Sequence, residues 1–266
     1  MRSFTFAVYF IMIFISDVRA ETLDFWNRSL TSIPFHQISD EVTDLGLIRN
    51  KIAAVDTFLF YPYLENLMLG SNLLSIFPNL CASGSSIKQL GLKNNHISHI
   101  PPERLDCLRS LRTLGLAQNK LSSFPAVSGP GRTLKKLDIG NNYFEEFPDL
   151  TSISEHLHTV LAGDNKLHTV DLMSVKTPKV VSLKVVLSRN SNLTTVQNLG
   201  FWNVKHLHLK GIGLNCDWSI GWIKMVESAG LVVEIDNQPC VSPTSLIGRD
   251  WTGIQLKELV RPGRVP

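Results

Sequence analysis

Hydrophobic and polar positions recur along this chain with a long period. A Leu-x-Leu-x-x-Asn-x-Leu pattern returns seven times, and each copy places an asparagine at the same phase. The first six asparagines lie 22 to 24 residues apart, and the seventh follows with a shifted flank. They are Asn50, Asn72, Asn95, Asn119, Asn142, Asn165 and Asn190. A repeat of this length cannot bury its apolar edge alone, so the period predicts a solenoid of stacked units.

The Leu-x-Leu part of each unit alternates between apolar and variable positions, which predicts a half-buried β-strand. Identical strands one repeat apart must lie parallel to each other. Nine units follow one another, with their first strand positions running from Leu23 to Leu207. At ~4.8 Å per strand they should form a curved sheet about 40 Å long. The predicted fold class is therefore α/β, with a function carried by a surface and not by a pocket.

The recurring asparagine has a structural explanation. Its side chain carries both an acceptor and a donor, so a buried copy can satisfy backbone groups of its own turn and of the next one. We expect the seven asparagines to form a ladder that stabilises the solenoid and binds no ligand. Arg28 takes this position in the first unit and Ile212 in the last, as expected of end units that have one neighbour.

The first 20 residues predict a cleaved signal peptide. Arg2 precedes an apolar run at residues 6–15, and Val18 and Ala20 are the small residues expected before a cleavage site. A transmembrane anchor is the alternative, but the run is shorter than the ~20 residues that a membrane span needs. No second run of this kind follows. The protein is therefore expected to be secreted and extracellular, without a membrane span.

Charge and composition narrow the function classes. Residues 21–266 carry 24 basic and 22 acidic side chains, a net charge of +2. That balance is too small to favour nucleic acid or an anionic membrane as a partner. Four cysteines, all after residue 20, are an even number, as expected in an oxidising compartment. Because no nucleophile elbow, phosphate loop or zinc-protease helix occurs, we expect no enzyme and no cofactor or metal.

Residues 111–121 read Leu-Arg-Thr-Leu-Gly-Leu-Ala-Gln-Asn-Lys-Leu. This segment resembles the typical repeat of extracellular leucine-rich repeat proteins, the class of Slit, Toll-type ectodomains and small matrix proteoglycans. The resemblance covers residues 23–250 and implies a right-handed solenoid whose parallel sheet lines the concave side. The convex side is expected to be mostly irregular. A shared fold of this kind does not name the ligand.

Residues 214–250 resemble the C-terminal cysteine cap of the same class. The resemblance implies a disulfide between Cys216 and Cys240. It departs from the usual Cys-Asp-Cys because Trp218 occupies the place of the second cysteine. Asp217 is expected to cap a short helix whose apolar face, including Trp218 and Trp222, covers the last repeat. The domain prediction is a signal peptide at 1–20, repeats at 21–213, the cap at 214–250 and a polar tail at 251–266.

Two further cysteines, Cys81 and Cys107, fall on consecutive convex turns, where they form either a disulfide or two buried free thiols. No cysteine cluster precedes the first repeat, so that repeat shields the core by itself or pairs with a second copy in a homodimer. Also on the convex side, residues 58–64 and 105–111 have an apolar residue at every third position. This spacing predicts two short helical turns.

Side chains that point out of the sheet define the candidate binding face. They include exposed apolar groups, and glycines that let a partner approach the backbone. The predicted face comprises Trp26, Ile48, Met68, Lys93, Asp138, Leu161, Val186, His206, His208 and Lys210. Charges along it are mixed and do not favour a polyanion. The two histidines share one strand face, as a metal pair, a pH-sensitive contact or, the interpretation we favour, a solvated pair.

Two functions fit such a surface. The first is recognition of a protein or microbial-surface partner through the concave sheet, as innate immune relatives of the fold do. The second is a structural role in the extracellular matrix or in cell adhesion. Asn27 and Asn192 begin Asn-x-Ser/Thr triplets and are the predicted N-glycosylation sites. If glycosylated, they mark faces that no partner covers.

Overall fold

The computed structural model describes residues 21–127, 133–153, 155–172, 182–197 and 204–259. The predicted signal peptide lies outside them. The strands, numbered in chain order, are β1 (Glu21–Asp24), β2 (Val42–Gly46), β3 (Asn66–Met68), β4 (Gln89–Gly91), β5 (Thr113–Gly115), β6 (Lys136–Asp138), β7 (Thr159–Leu161), β8 (Thr169–Asp171), β9 (Leu183–Val186), β10 (Thr195–Gln197), β11 (Val204–His208), β12 (Leu214–Asn215), β13 (Val232–Glu234) and β14 (Cys240–Ser242). The helices of this part of the chain are α1 (Pro102–Asp106), α2 (Gly221–Glu227) and 3₁₀ turns at Phe35–Gln37, Cys81–Ser83, Thr151–Ile153, Trp218–Ile220, Trp251–Gly253 and Leu256–Glu258.

One parallel sheet runs through the described residues, in the order β1-β2-β3-β4-β5-β6-β7-β9-β11-β13. Two small parallel sheets pair β8 with β10 and β12 with β14. The sequence predicted nine strands in the main sheet, and the tenth, β13, comes from the C-terminal cap. Its Val232 lies opposite His206 of β11. The cap therefore covers the sheet edge that the last repeat alone would leave unpaired.

Inward-facing leucines fill the interior. In the central repeats Leu90, Leu92, Leu114, Leu116 and Leu137 are 0% exposed. Burying one leucine side chain fully contributes about 1.5–3 kcal/mol. These columns belong to one continuous hydrophobic cluster that extends from the first repeats into the cap. Each coil therefore depends on its neighbours for its stability.

The seven asparagines lie inside the turn after each strand, with 0–7% of their surface exposed. Asn119 shows the pattern. Its Oδ1 accepts a hydrogen bond from the Ile97 N–H at 3.0 Å, and its Nδ2 donates to the carbonyls of Leu92 and Leu116, both at 3.0 Å. Ile97 and Leu92 belong to the preceding repeat. The ladder thus connects each turn to the turn before it, whereas the sequence predicted a connection to the turn after it. The backbone groups that the asparagine binds are those that the turn leaves without a backbone partner.

On the convex side, α1 overlaps the predicted helical turn at 105–111 only in its last two residues, and residues 58–64 form no helix. The Tyr61 N–H donates to Ser83 Oγ at 2.8 Å, and the Ser83 hydroxyl donates to the Leu59 carbonyl at 3.0 Å. The backbone of this segment is therefore satisfied by the next repeat. Pro62 also lacks the N–H that a helix would use. The helix prediction was wrong there for these two reasons.

Both cysteine pairs form disulfides. Cys81 and Cys107 connect consecutive convex turns and Cys216 connects to Cys240 in the cap, with Cα atoms 5.4 Å apart in each pair. Cys81 and Cys107 are therefore not free thiols. Closing a loop of this length contributes about 3 kcal/mol in the chain-entropy model. The two bridges stabilise the convex side near the middle of the chain and the end of the solenoid.

The cap begins at Asp217, whose side chain accepts from the Ser219 N–H at 2.8 Å and caps the 3₁₀ turn that leads into α2. Trp222 Nε1–H donates to the Val196 carbonyl at 2.8 Å, which ties α2 to the repeats. Trp218 was expected on the buried face but is 37% exposed, and Ile220 is buried instead. A 3₁₀ turn has fewer residues per turn than an α-helix, so it shifts which side chains face the core.

The chain after residue 250 is not a free polar tail in its described part. Trp251, Ile254 and Leu259 are 3%, 1% and 2% exposed. Lys224 of α2 donates to the Trp251 carbonyl at 2.6 Å and its Nζ lies 4.1 Å from the centre of the Trp251 ring. The prediction of a polar tail was wrong because these apolar side chains, spaced among polar ones, extend the core of the cap. No helix among the described residues is long and apolar enough to cross a membrane.

Candidate binding surface

Two columns of side chains run along the concave sheet, because each strand repeats the register of the one before. The central column consists of Asp24, Gly46, Met68, Gly91, Gly115, Asp138, Leu161, Val186, His208 and Glu234. Beside it, backbone hydrogen bonds align Trp26, Ile48, Gly70, Lys93, Ala117, Gly140, Gly163, Ser188 and Lys210. The predicted residues on these columns therefore share one face. They divide between two hollows and a histidine end.

The first hollow, of about 420 Å³, lies at the β1 end of the sheet. Trp26, Ile48 and Met68 supply its apolar wall, and Gly46 lies between them. A Cβ at Gly46 would come within 2.7 Å of Asp24 Oδ1, so a side chain here would require the Asp24 carboxylate to turn aside. Trp26 is 48% exposed, so about half of its surface is open to a partner.

Charged groups surround this first hollow. The Arg49 guanidinium lies 5.6 Å from the centre of the Trp26 ring, a cation–π contact worth about 0.5–1 kcal/mol at an exposed site. Asp44 accepts from Asn66 Nδ2 at 2.6 Å and from the Thr43 hydroxyl at 2.7 Å. These bonds hold the Asp44 carboxylate at the edge of the apolar wall. The arrangement suits an apolar side chain of a partner with a basic group beside it.

The second hollow, of about 380 Å³, lies nearer the C-terminal half of the sheet. Leu161 and Val186 form its apolar wall, and Gly140 and Gly163, which carry no side chain, line the hollow beside them. A Cβ on Gly163 would lie 2.9 Å from the Ser188 carbonyl oxygen. Because that oxygen belongs to the backbone, it cannot move away cheaply, and the position requires glycine.

Four charged side chains border the second hollow. Arg189 makes a bidentate pair with Asp164, Nε to Oδ1 at 2.5 Å and Nη2 to Oδ2 at 2.6 Å. The side-chain hydrogen bond to Asp164 raises the pKa of Arg189. Lys93 and Asp138 line the opposite part of the hollow. Since Arg189 and Asp164 satisfy each other, Lys93 and Asp138 are the charges best placed to contact a ligand.

Between the hollows the sheet is nearly bare, at Gly91 and Gly115. The Met68 thioether leans over Gly91, where a Cβ would come within 2.6 Å of its sulfur. The concave face is therefore a shallow groove with two apolar hollows and exposed backbone between them. Enclosed pockets suit small molecules, whereas this open groove suits an extended or looped segment of a larger partner.

His206 and His208 have different surroundings. His208 Nδ1 lies 2.9 Å from Glu234 Oε2, and 16% of its side chain is exposed. His206 is exposed. A solvated pair was the favoured expectation, and it does not describe His208, because the partner carboxylate comes from β13, a strand outside the repeat pattern. The described residues contain no group of three side chains that could hold a metal ion.

The remaining predicted sites lie at the surface. Asn27 and Asn192, the predicted glycosylation sites, are both exposed. Arg49, Asp164 and Arg189 were not among the predicted site residues; they precede ladder asparagines and have φ values of 58°, 56° and 59°. These left-handed turns place charged side chains next to the concave columns. The signal that would have found them is a charge directly before the asparagine in three repeats.

Comparison with known proteins identifies the fold. A family described as leucine rich repeat matches residues 62–121, and no curated protein matches the chain. The chain is similar to a structure of the Toll–Spatzle complex of Drosophila, at 19% identity and a TM-score of 0.61, over 83% of this chain and 32% of that one. It is also similar to the effector YopM of Yersinia pestis, at 21% identity and a TM-score of 0.56, over 73% of this chain and 50% of that one. It thus spans between a third and a half of those chains, and with its parallel sheet it has the α/β solenoid fold of leucine-rich repeat proteins.

Proposed function

We propose that this protein is an extracellular recognition module without enzymatic activity that binds a protein or microbial-surface partner through its concave sheet. The observation that carries the proposal is the pair of apolar hollows, one at Met68 and one at Leu161 and Val186. Half-buried apolar side chains beside glycines, which have no side chain of their own, give a partner apolar contact and a close approach to the sheet.

The extracellular part of the proposal rests on two features. Both disulfides favour an oxidising compartment, and the apolar run at residues 6–15 favours entry into the secretory route. Glycans at Asn27 and Asn192 belong to the same proposal. Asn27 directly follows Trp26, so a glycan there would border the first hollow and leave the second one open. We therefore place the principal contact at Leu161 and Val186.

An immune role is the more specific form of the proposal. Toll is described in complex with Spatzle, in Drosophila development and innate immunity. At 19% identity that likeness concerns the fold, and a shared fold does not carry its function with it. The support for a partner on the concave side of this chain is therefore the chemistry of its own hollows.

Charge substitutions in the hollows test the proposal. In the triple variant M68E/L161E/V186E, three carboxylates would be desolvated by any partner that fills the groove. Capture of a partner from the extracellular fluid of the source should fall at least about 10-fold relative to the wild type, since each ~1.4 kcal/mol lost is a factor of ten. Circular dichroism and the melting temperature confirm that the variant is folded.

The matched control carries the same charges elsewhere. Leu59, Phe60 and Ile247 are 48%, 62% and 51% exposed and lie outside the concave columns, so L59E/F60E/I247E should bind as the wild type does. If the control loses binding and the concave variant keeps it, the recognition groove is wrong. The exposed Leu59 and Phe60 would then favour the second function, a matrix or adhesion component with contacts on the convex side.

The β1 end of the sheet is relevant to assembly. Among the described residues, β1 pairs with β2 on one side only. A homodimer through this end is the assembly that the proposal includes. Light scattering on the secreted protein distinguishes it from a monomer, and the variant T22P, which disrupts the edge of β1, should convert a dimer to a monomer if this edge forms the contact.

A further inference from the structure

A row of basic side chains follows one flank of the sheet, outside the two columns described above. At the position two residues before the inward strand leucine, successive repeats carry Glu65, Lys88, Arg112, Lys135 and His158. Backbone bonds connect each to the next: the N–H of Lys88 donates to Glu65, Arg112 to Lys88, Lys135 to Arg112 and His158 to Lys135, at 2.7–2.8 Å. Each successive residue of the row therefore lies one strand spacing, ~4.8 Å, from the one in the preceding repeat.

A parallel column adds further cations. Lys136 of β6 and Lys184 of β9 both pair with Thr159 of the strand between them, so they lie two strand spacings apart. Lys205 continues this flank on β11, at the point where the register to β9 shifts. We define the basic row as Arg112, Lys135, Lys136, His158, Lys184 and Lys205. It extends from β5 to β11, about 19 Å at ~4.8 Å per strand.

The charges of the row are largely uncompensated. Arg112, Lys135 and Lys136 are exposed, and within the described residues none of them has an ion pair. Asp138 is the acidic neighbour on β6; its Oδ1 accepts from the Gly140 N–H at 3.1 Å, and among the described residues it forms no ion pair with the row. At its other end the row stops at Lys88, which is paired with Glu65. Like charges on adjacent strands repel one another. An anionic ligand bound along this flank would reduce that repulsion.

The shape of the row selects among anionic partners. Its cations lie in two adjacent columns that run in the same direction across the strands, which fits a linear chain carrying a charge at regular intervals. Among the described residues, the row and its neighbouring positions Gln89, Thr113 and Thr159 hold no Phe, Tyr or Trp to stack with the bases of a nucleic acid. Arginine and lysine on an exposed strip are the groups that bind sulfate on heparin-like chains. The disulfides favour the compartment where such chains occur.

We propose that the basic row binds a linear sulfated polysaccharide along the flank of the concave sheet. The inference depends on the extracellular placement but not on a protein partner in the groove. The net charge of +2 over residues 21–266 does not reveal this row, and neither do the mixed charges of the two concave columns. The row lies at other positions of the repeat, before each strand and at its start. The groove and the row lie side by side, so both can be occupied.

Heparin binding of purified full-length protein tests the proposal. By the counterion-release relation for a flexible polyanion, five lysine and arginine contacts weaken binding about 100-fold when salt rises from 50 to 200 mM. The variant R112Q/K135Q/K136Q keeps two of these contacts and should weaken only about 7-fold over the same range. At 50 mM salt it should bind heparin at least about 10-fold more weakly than the wild type.

The matched control removes the same charge from the other flank. Lys51, Lys120 and Lys166 directly follow ladder asparagines and are exposed, so K51Q/K120Q/K166Q should bind heparin as the wild type does. The concave variant M68E/L161E/V186E should also retain most of its heparin binding, which separates the two proposals.

Three results would overturn the inference. One is a wild-type protein that does not bind heparin at 50 mM salt. Another is an equal loss of heparin binding in R112Q/K135Q/K136Q and in the control K51Q/K120Q/K166Q. The third is equal affinity for heparin, hyaluronan, single-stranded DNA and phosphatidylserine vesicles, which would show attraction to any negative charge. Circular dichroism on each variant ensures that a loss of binding is not a loss of fold.

Discussion

At the scale of single residues, the ladder asparagines are the side chains on which the fold depends most. Asn119 is 6% exposed and connects two repeats by hydrogen bonds to Ile97, Leu92 and Leu116. Replacement by alanine leaves these buried backbone groups unpaired, and each such group costs about 1–3 kcal/mol. We expect N119A to lower the free energy of unfolding by about 3 kcal/mol, measured by urea denaturation.

The control for this change is Asn237, which is exposed at the surface of the cap. N237A also removes a side-chain amide, but one that faces solvent. It should change the free energy of unfolding by less than about 0.5 kcal/mol. Equal effects of the two substitutions would mean that the ladder amides do not stabilise the stack. The sequence was sufficient to identify the ladder, because an amide returning in phase with the leucines has no reason to be there unless it is buried.

At the scale of elements, the segment after the cap helix is held by carboxylates. Glu258 pairs with Arg249 at 2.5 Å and accepts from the Gln255 N–H at 2.8 Å. Asp250 accepts from the Thr252 hydroxyl at 2.6 Å. The hydrogen bond from Arg249 lowers the pKa of Glu258, and the hydrogen bonds from Thr252 lower the pKa of Asp250. Their ionised forms are therefore favoured in the folded segment.

A lowered folded-state pKa stabilises above the ordinary carboxyl value, and the effect is lost as pH falls through the folded-state value. Residues 251–259 should thus be protected from hydrogen exchange at pH 7 and lose protection as pH falls below the ordinary carboxyl value of about 4. E258Q should already show faster exchange there at pH 7. The control E146Q changes an exposed glutamate in the repeats and should leave that segment unchanged. Equal exchange in wild type and E258Q would contradict this role.

The elements that the sequence predicted are those that repeat. The strand positions from Leu45 to Leu207 follow from the period alone, since identical units stacked in register leave one arrangement. The tenth strand at Val232–Glu234 has no repeat to reveal it, and it supplies Glu234 to His208. The convex segment at residues 58–64 was mispredicted because its local spacing resembles a helix, whereas Ser83 of the next repeat satisfies its backbone.

At the scale of the whole molecule, charge is segregated along the chain. Residues 21–65 carry seven acidic and three basic side chains, while residues 66–136 carry nine basic and two acidic ones. The pair formed by Lys88 and Glu65 lies where these regions meet. The net charge of the chain could not show this segregation, because it adds together the charges of repeats that lie apart in the solenoid. The strand register explains why the predicted concave residues share one face, and their binding role stays a prediction. The basic row does not follow from the repeat pattern, because the pattern leaves the residue before each strand free to vary.

The segregated charge has a consequence for stability. At 10 mM salt the Debye length is ~30 Å, longer than the basic row, so its cations repel along their full length. If neighbouring pairs cost roughly 0.2–1 kcal/mol each, R112Q/K135Q/K136Q should gain about 1 kcal/mol. A gain of that size raises the melting temperature by about 2–4 °C for a chain of this length.

Salt and the matched control separate this repulsion from other effects on melting. At 500 mM salt the advantage of R112Q/K135Q/K136Q should shrink, since screening removes the same repulsion in the wild type. K51Q/K120Q/K166Q should gain no such advantage at 10 mM salt, because its lysines do not form a row on adjacent strands. Identical melting of the two variants at low salt would mean that the row carries no repulsion. A polyanion-binding surface destabilises the free protein only if the fold holds its like charges close together without the ligand. The basic row meets that condition, because its cations lie on consecutive repeats.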